Sequence, residues 1–124
     1  MKLGSVIAER RLEVPGEGGR SVVIRIGLPF QHPRGWWVCP YRISGLGRTS
    51  TQAASGQDAM QAIQLAFERI RCDLDESGTA VSWLGMDDHG IPRLIINIFG
   101  ASFSREMSDM IDEEVARRFV PRDE

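Results

Sequence analysis

The chain is short of most of what specialised chemistry needs. Two cysteines among 124 residues, Cys39 and Cys72, build no disulfide framework and form no C-x-x-C pair for zinc or redox work. They read as reduced thiols of a cytoplasmic protein. There is no basic surplus either: the net charge is -2, whereas a duplex-binding domain usually carries excess cation to neutralise phosphates. Arg10-Arg11 and Arg117-Arg118 each have acids close by, so nucleic acid is not an expected partner. No apolar run approaches the ~20 residues that span a bilayer. The best one, Leu94 to Phe99, is strand-sized, and Glu9, Arg10 and Arg11 interrupt the N-terminal apolar stretch before a signal peptide could form. No membrane partner is expected. Repeats, linkers and low-complexity tracts are missing too, which leaves one domain over residues 1–124. A composition of 42% hydrophobic and 26% charged residues is ordinary for a globular chain.

What is present is patterned. From Val6 to Val14, Val6, Ala8, Leu12 and Val14 fall on one face of an extended chain, with Arg10 the exception, while Glu9, Arg11 and Glu13 take the other. Pro15 to Gly19 is a cluster of turn formers, and Ser21 to Leu28 alternates again, so the chain opens with an antiparallel hairpin. Pro29 to Gly35 reads as a connection. Trp36 to Ile43 is a third, aromatic and β-branched strand. Pro40 removes a ladder donor there and predicts an edge or a bulge. Arg48 to Gln52 reads as a weak fourth strand. Ser55 with Asp58 resembles a capping box. The helix it opens gathers Ala59, Met60, Ile63, Ala66, Phe67, Ile70 and Leu74 on one face, with Leu65 and Cys72 off that stripe. Val81 to Leu84 is a short extended piece, Gly85 to Gly90 a loop, and Arg93 to Phe99 a buried strand. A second helix runs from about Ser104 to Val120, with Phe103, Met107, Met110, Ile111, Val115 and Phe119 at helical spacing. Glu113–Arg117 and Glu114–Arg118 are acid-before-base pairs on it. The fold class is therefore α+β: an antiparallel sheet of three to five strands that begins with a β-hairpin, packed by a central amphipathic helix and a C-terminal helix.

The chemical constellations are thin. Asp87-Asp88-His89 has the residue types of a metal or proton-transfer site, but three adjacent residues do not point at one atom. A solvated turn before Gly90 is the plainer reading. Cys39 or Cys72 with His32 or His89 lacks any nucleophile signature, and Cys39 among aromatics reads as a small buried hydrophobe. Gly45-Leu46-Gly47-Arg48 lacks a nucleotide fingerprint, although Arg48 could assist an anion near a helix start. No cofactor and no metal are indicated. In the third strand Trp37 and Tyr41 share a face with Ile43, and Trp36 lies on the other. Two helices do not cover both faces of a sheet, so either one tryptophan is partly exposed near Arg42, a combination that suits a binding hot spot, or both pack into the core.

Ile7-Ala8-Glu9-Arg10-Arg11-Leu12, Trp37-Val38-Cys39-Pro40-Tyr41-Arg42-Ile43, Gly45-Leu46-Gly47, the helix segment Ala59 to Ala66, Trp83-Leu84-Gly85 and Gly90-Ile91-Pro92 resemble a family of small bacterial proteins of unknown function. The resemblance covers positions 7 to about 92 and leaves the final helix outside. It implies a stand-alone bacterial cytoplasmic domain and carries over no catalytic residue.

Two functions follow. The first is a non-catalytic protein-interaction module that binds a regulatory or immunity-type partner or its own copy as a homodimer. It draws on the surplus of strand aromatics and the off-stripe Leu65 and Cys72. The second is a small-molecule binder or enzyme whose pocket lies between the aromatic third strand and the Trp83–His89 loop, with Arg42 or Arg93 holding an anion. The binding residues expected are Trp37, Tyr41, Arg42, Trp83, Asp88 and His89.

Overall fold

The computed structural model describes residues 1–94 and 100–119. The expected strand from Arg93 to Phe99 lies mostly outside the described residues, as does Val120 at the end of the second helix. The chain divides into two compact units, Met1–Arg93 and the residues from Leu94 onward.

The first unit is an antiparallel sheet covered on one face. β1 (Val6–Glu13) and β2 (Ser21–Gly27) form the hairpin, with Leu12 opposite Val22 and Arg10 opposite Ile24. β4 (Trp37–Ser44) is central: β2 pairs with its second half and the two-residue β3 (Phe30–Gln31) with its first. β5 (Thr51–Gly56) runs along its other edge, pairing from Trp37 to Arg42. Pro40 thus sits neither at an edge nor, on this side, against a continuous neighbour. The β2 ladder stops at Tyr41 and the β3 ladder starts at Val38, so the proline falls in the gap between them. Breaking the adjacent strand at Leu28-Pro29 accommodates a residue that cannot donate to a central ladder.

The pairing fixes which side chains share a face. Leu12, Val22, Ile24, Ile26, Cys39, Tyr41, Ile43 and Ala54 all point inward, and each is at most 8% exposed. Over β4 and β5 this face is covered by α1 (Ala59–Ser77), which buries Ala62, Ala66, Ile70 and Leu74. Ile91 joins the same core, with Val81 and Trp83 packed against it. Antiparallel bonding of Glu13 to Ser82, at 2.9 and 2.8 Å, ties this strap to the end of β1. The covering layer is therefore half helix and half irregular strap.

Several expectations are corrected. The buried end of β1 is Leu12 and Val14, while Val6 is 47% exposed and the register slips between Val6 and Ala8. β5 extends to Gly56, so Ser55 is a strand residue and the cap is Asp58, whose Oδ1 accepts from Gln61 N at 2.7 Å. α1 is also rotated relative to its expected stripe: Met60 is 71% exposed and Phe67 lies outside the core, while Ala62 is fully buried. Alanines face the sheet because the approach is close. A Cβ added at Gly56 would stand 2.5 Å from the Ala62 nitrogen. Leu65, off the expected stripe, is half-buried and packs against this same core.

The second unit contains α2 (Ala101–Phe119), which begins three residues earlier than expected. None of its residues is buried. Glu114 accepts from both Arg117 and Arg118, so the Glu113–Arg117 pair gives way to an i,i+3 pair.

Candidate functional site

Arg10, the one charge on the inward face of β1, has a specific role. Its guanidinium lies 3.7 Å from the centre of the Trp83 ring, and its Nη1 donates to the His89 carbonyl at 3.2 Å. A cation stacked on indole keeps its charge compensated where an aliphatic side chain would only pack. Gly90 completes the contact. It has φ +74, and a Cβ there would meet the indole at 2.4 Å. Arg10 is thus the pin that holds the strap on the sheet.

His89 is 8% exposed and does not belong to the solvated turn expected around it; Asp87 and Asp88 do. Its Nδ1 lies 3.0 Å from the backbone N–H of Ile91, which can only donate, so Nδ1 is the acceptor. Nε2 then carries the proton and gives it to Asp75 Oδ1 at 3.0 Å. Asp75 also receives Arg71 Nη1 at 3.1 Å, and Arg71 pairs with Glu68. With both ring nitrogens committed to hydrogen bonds, this imidazole has no lone pair free for a metal. Asp88 Oδ1 stands 3.6 Å from Nδ1, beyond a good hydrogen bond. The Asp75–His89 pair fixes the end of α1 to the strap.

Cys39 lacks the setting of a nucleophile. Burial pushes the Cys39 thiol up to about 11, so it stays protonated, and Cys72 lies against the Arg71 guanidinium at 3.4 Å on α1. Among the described residues no group of three histidine, cysteine or acidic side chains is placed to hold a metal ion.

Tyr41 is different. It is 1% exposed, yet its hydroxyl reaches Asp73 Oδ2 at 3.1 Å and Gln52 Oε1 at 3.2 Å. Burial, with the Asp73 charge added, pushes the phenol up to about 12. Tyr41, Gln52 and Asp73 line a cavity of about 200 Å³ walled also by Ile43, Leu46, Arg48 and Ser50.

The six residues expected to bind are thus dispersed. Trp37 and Tyr41 share the inward face of β4, as the alternation requires. Arg42 lies on the opposite face, where its Nε and Nη2 donate to Thr51 Oγ1 at 3.0 and 2.7 Å. Trp83 is under Arg10. Asp88 and His89 line a separate cavity of about 280 Å³ with Asp75 and Pro15. Trp36 is exposed and stacks on His32 with ring centres 4.0 Å apart, while Trp37 and Trp83 are half-buried. Asp73 and Asp75 escaped the sequence reading, since two acids near a helix end look like ordinary solvated charge.

These features define a class: a small antiparallel α+β domain with one helix and one pinned strap over a meandering sheet. Within it, the chain belongs to the family described as Domain of unknown function (DUF6968), whose model matches residues 8–93. The matched stretch ends where the first compact unit ends, and α2 lies beyond it. Neither the curated proteins nor the solved structures give a match.

Proposed function

We propose that this chain is a non-catalytic protein-interaction module of the bacterial cytoplasm, with α2 as its contact element. The observation that carries this reading is the apolar row on α2. Met110, Ile111, Val115 and Phe119 are 55, 53, 48 and 76% exposed, and Phe103 and Met107 continue the row at four-residue steps. Each large apolar side chain left in water forgoes about 1.5–3 kcal/mol of burial, and contiguous patches of this kind mark interaction sites. Rows of i±4 residues incline across a helix and favour crossings near about 50° over parallel coiled-coil packing. Its own copy is the first partner to consider, since a two-fold axis presents the same ridge twice. A second support lies in the body: Leu84, 80% exposed at the tip of the 83–86 turn, holds φ 52, a conformation a leucine adopts only at a cost.

The commitment of both His89 nitrogens and the protonated Cys39 favour a binding role over catalysis. Multi-angle light scattering on the full chain tests the reading. A dimer, or a stoichiometric protein complex, that reverts to monomer on Ile111→Glu is the expected result. A strict monomer that retains no stoichiometric partner from its host overturns it, and so does an assembly indifferent to Ile111→Glu.

A further inference from the structure

The cavity beneath Tyr41 is independent of α2 and is furnished for a ligand with two opposite charges. It lies between the end of β4, the start of β5 and the last turns of α1. Its lining brings together Tyr41, Gln52 and Asp73, the polar Arg48 and Ser50, and the apolar Ile43 and Leu46. Among the described residues Arg48 has no hydrogen-bond or ion-pair partner for its guanidinium, and the Ser50 hydroxyl has none either. Arg48 is a permanent cation that accepts a carboxylate in bidentate fashion.

At the acidic end the Arg69 guanidinium, which donates to the Ala53 carbonyl at 2.9 Å, also acts on the Tyr41 hydroxyl. The Tyr41 hydroxyl has one proton and two acceptors within reach, Asp73 Oδ2 and Gln52 Oε1. It can serve one of them at a time. The other oxygen can accept a further donor, and the Asp73 carboxylate brings a negative charge to the lining.

We propose that this cavity binds a small zwitterion, an α-amino acid with a short aliphatic side chain. Its carboxylate lies on Arg48 and Ser50, its ammonium on Asp73 and Gln52, and its side chain on Ile43 and Leu46. Size sets the class. At about 200 Å³ the cavity is smaller than the roughly 300–1,000 Å³ of sites for drug-sized molecules. That volume suits a small ligand such as alanine or valine.

The test uses the full chain and three probes: L-valine, isobutyrate, which keeps the carboxylate, and isobutylamine, which keeps the amine. Backbone amide NMR titration reads both the affinity and the place. L-Valine should move the amides of Tyr41, Arg48 and Gln52 and saturate by about 10 mM, a concentration that suits a weak millimolar ligand. Isobutyrate and isobutylamine should each bind at least about tenfold more weakly, having lost one charge-assisted set of bonds. Arg48→Gln, an exposed change that leaves the core untouched, should weaken L-valine at least about tenfold while sparing isobutylamine. Asp73→Asn should do the reverse, weakening L-valine and isobutylamine while sparing isobutyrate. Absence of any shift with L-valine overturns the proposal. Equal binding of isobutyrate and L-valine also overturns it, because the site would then be a simple anion site. Neither result bears on the oligomeric state that tests α2.

Discussion

The two helices are the same length, 19 residues, and carry opposite relations between size and burial. α1 turns Ala62 and Ala66 to the sheet with Ile70 and Leu74 and leaves Met60 outside. α2 has the bulkier apolar row and buries none of it. Apolar content therefore did not decide which helix became core. Fit did: Ala54 and Gly56 on β5 bring the backbone of α1 so close that only small side chains pass between, and close packing earns dispersion contacts that a large, poorly seated residue lacks. The bulky row on α2 is what the proposed contact would draw on.

The largest effect expected from this contrast comes from one substitution made in both helices. Ile70 is fully buried, and Ile70→Ala should cost about 2–5 kcal/mol through lost transfer energy and the cavity left behind. Ile111→Ala, at 53% exposure, should stay within about 0.5 kcal/mol in dilute solution. Urea denaturation of both variants at low protein concentration measures the difference. Equal costs would erase the distinction between the helices. A cost at Ile111 that grows with protein concentration would sharpen it, because the row would then be buried only in an assembly.

The same contrast explains what could be read in the sequence. Alternation found the first hairpin and the central strand, since Val22, Ile24 and Ile26 leave a period of two that no helix produces. It could not find Ala53 to Gly56 as strand, because alanine, serine and glycine have little intrinsic preference for one. Their smallness, which hid them, is what lets α1 approach. The face of α1 was misplaced for the same reason: Met60 and Phe67 outweigh Ala62 in any pattern based on hydrophobicity, yet the sheet accepts the alanine. At the site, the odd Arg10 in an apolar face was visible, but its partners Trp83 and His89 are over 70 residues away. The pairing of Tyr41 with Asp73 and Gln52 likewise depends on the packing of α1 over β4. Distant pairings of this kind leave no local period.

An intermediate effect should separate the two units by pH. Tyr41 is raised from 10 to about 12 and Cys39 from 9 to about 11. Both are neutral when protonated, so the fold favours their protonated forms. The stability they contribute is complete below pH 9 for Cys39 and below pH 10 for Tyr41. It is lost as the pH rises through 11 and 12. The described part of α2 contains neither residue type. Stability to urea should therefore fall between pH 9 and 12, with the near-ultraviolet circular dichroism of the tryptophans, all in the first unit, reporting the loss. Tyr41→Phe should flatten the part of the slope from pH 10 to 12. An unchanged slope in that variant would remove the phenol from the balance and with it the account of its burial.

The smallest effect concerns how each helix is held at its polar ends. At α1, Asp58 Oδ1 accepts from Gln61 N at 2.7 Å, and Gln61 Oε1 accepts from Gln57 N at 2.7 Å. The cap satisfies donors that the helix itself cannot, so Asp58→Ala should cost about 1 kcal/mol. At α2, the Glu114 carboxylate is held below its ordinary range by Arg117 and Arg118, but all three side chains are well exposed. Exposed ion pairs gain little over their hydrated, separated state and are screened by salt. Glu114→Gln should leave the thermal midpoint unresolved from wild type in moderate salt, whereas the Asp58→Ala loss should persist there because its hydrogen bond is local and geometric. A Glu114→Gln loss that survives high salt would mean that this end of α2 is shielded from water in solution, and the helix would then have a partner that its exposed row alone does not reveal.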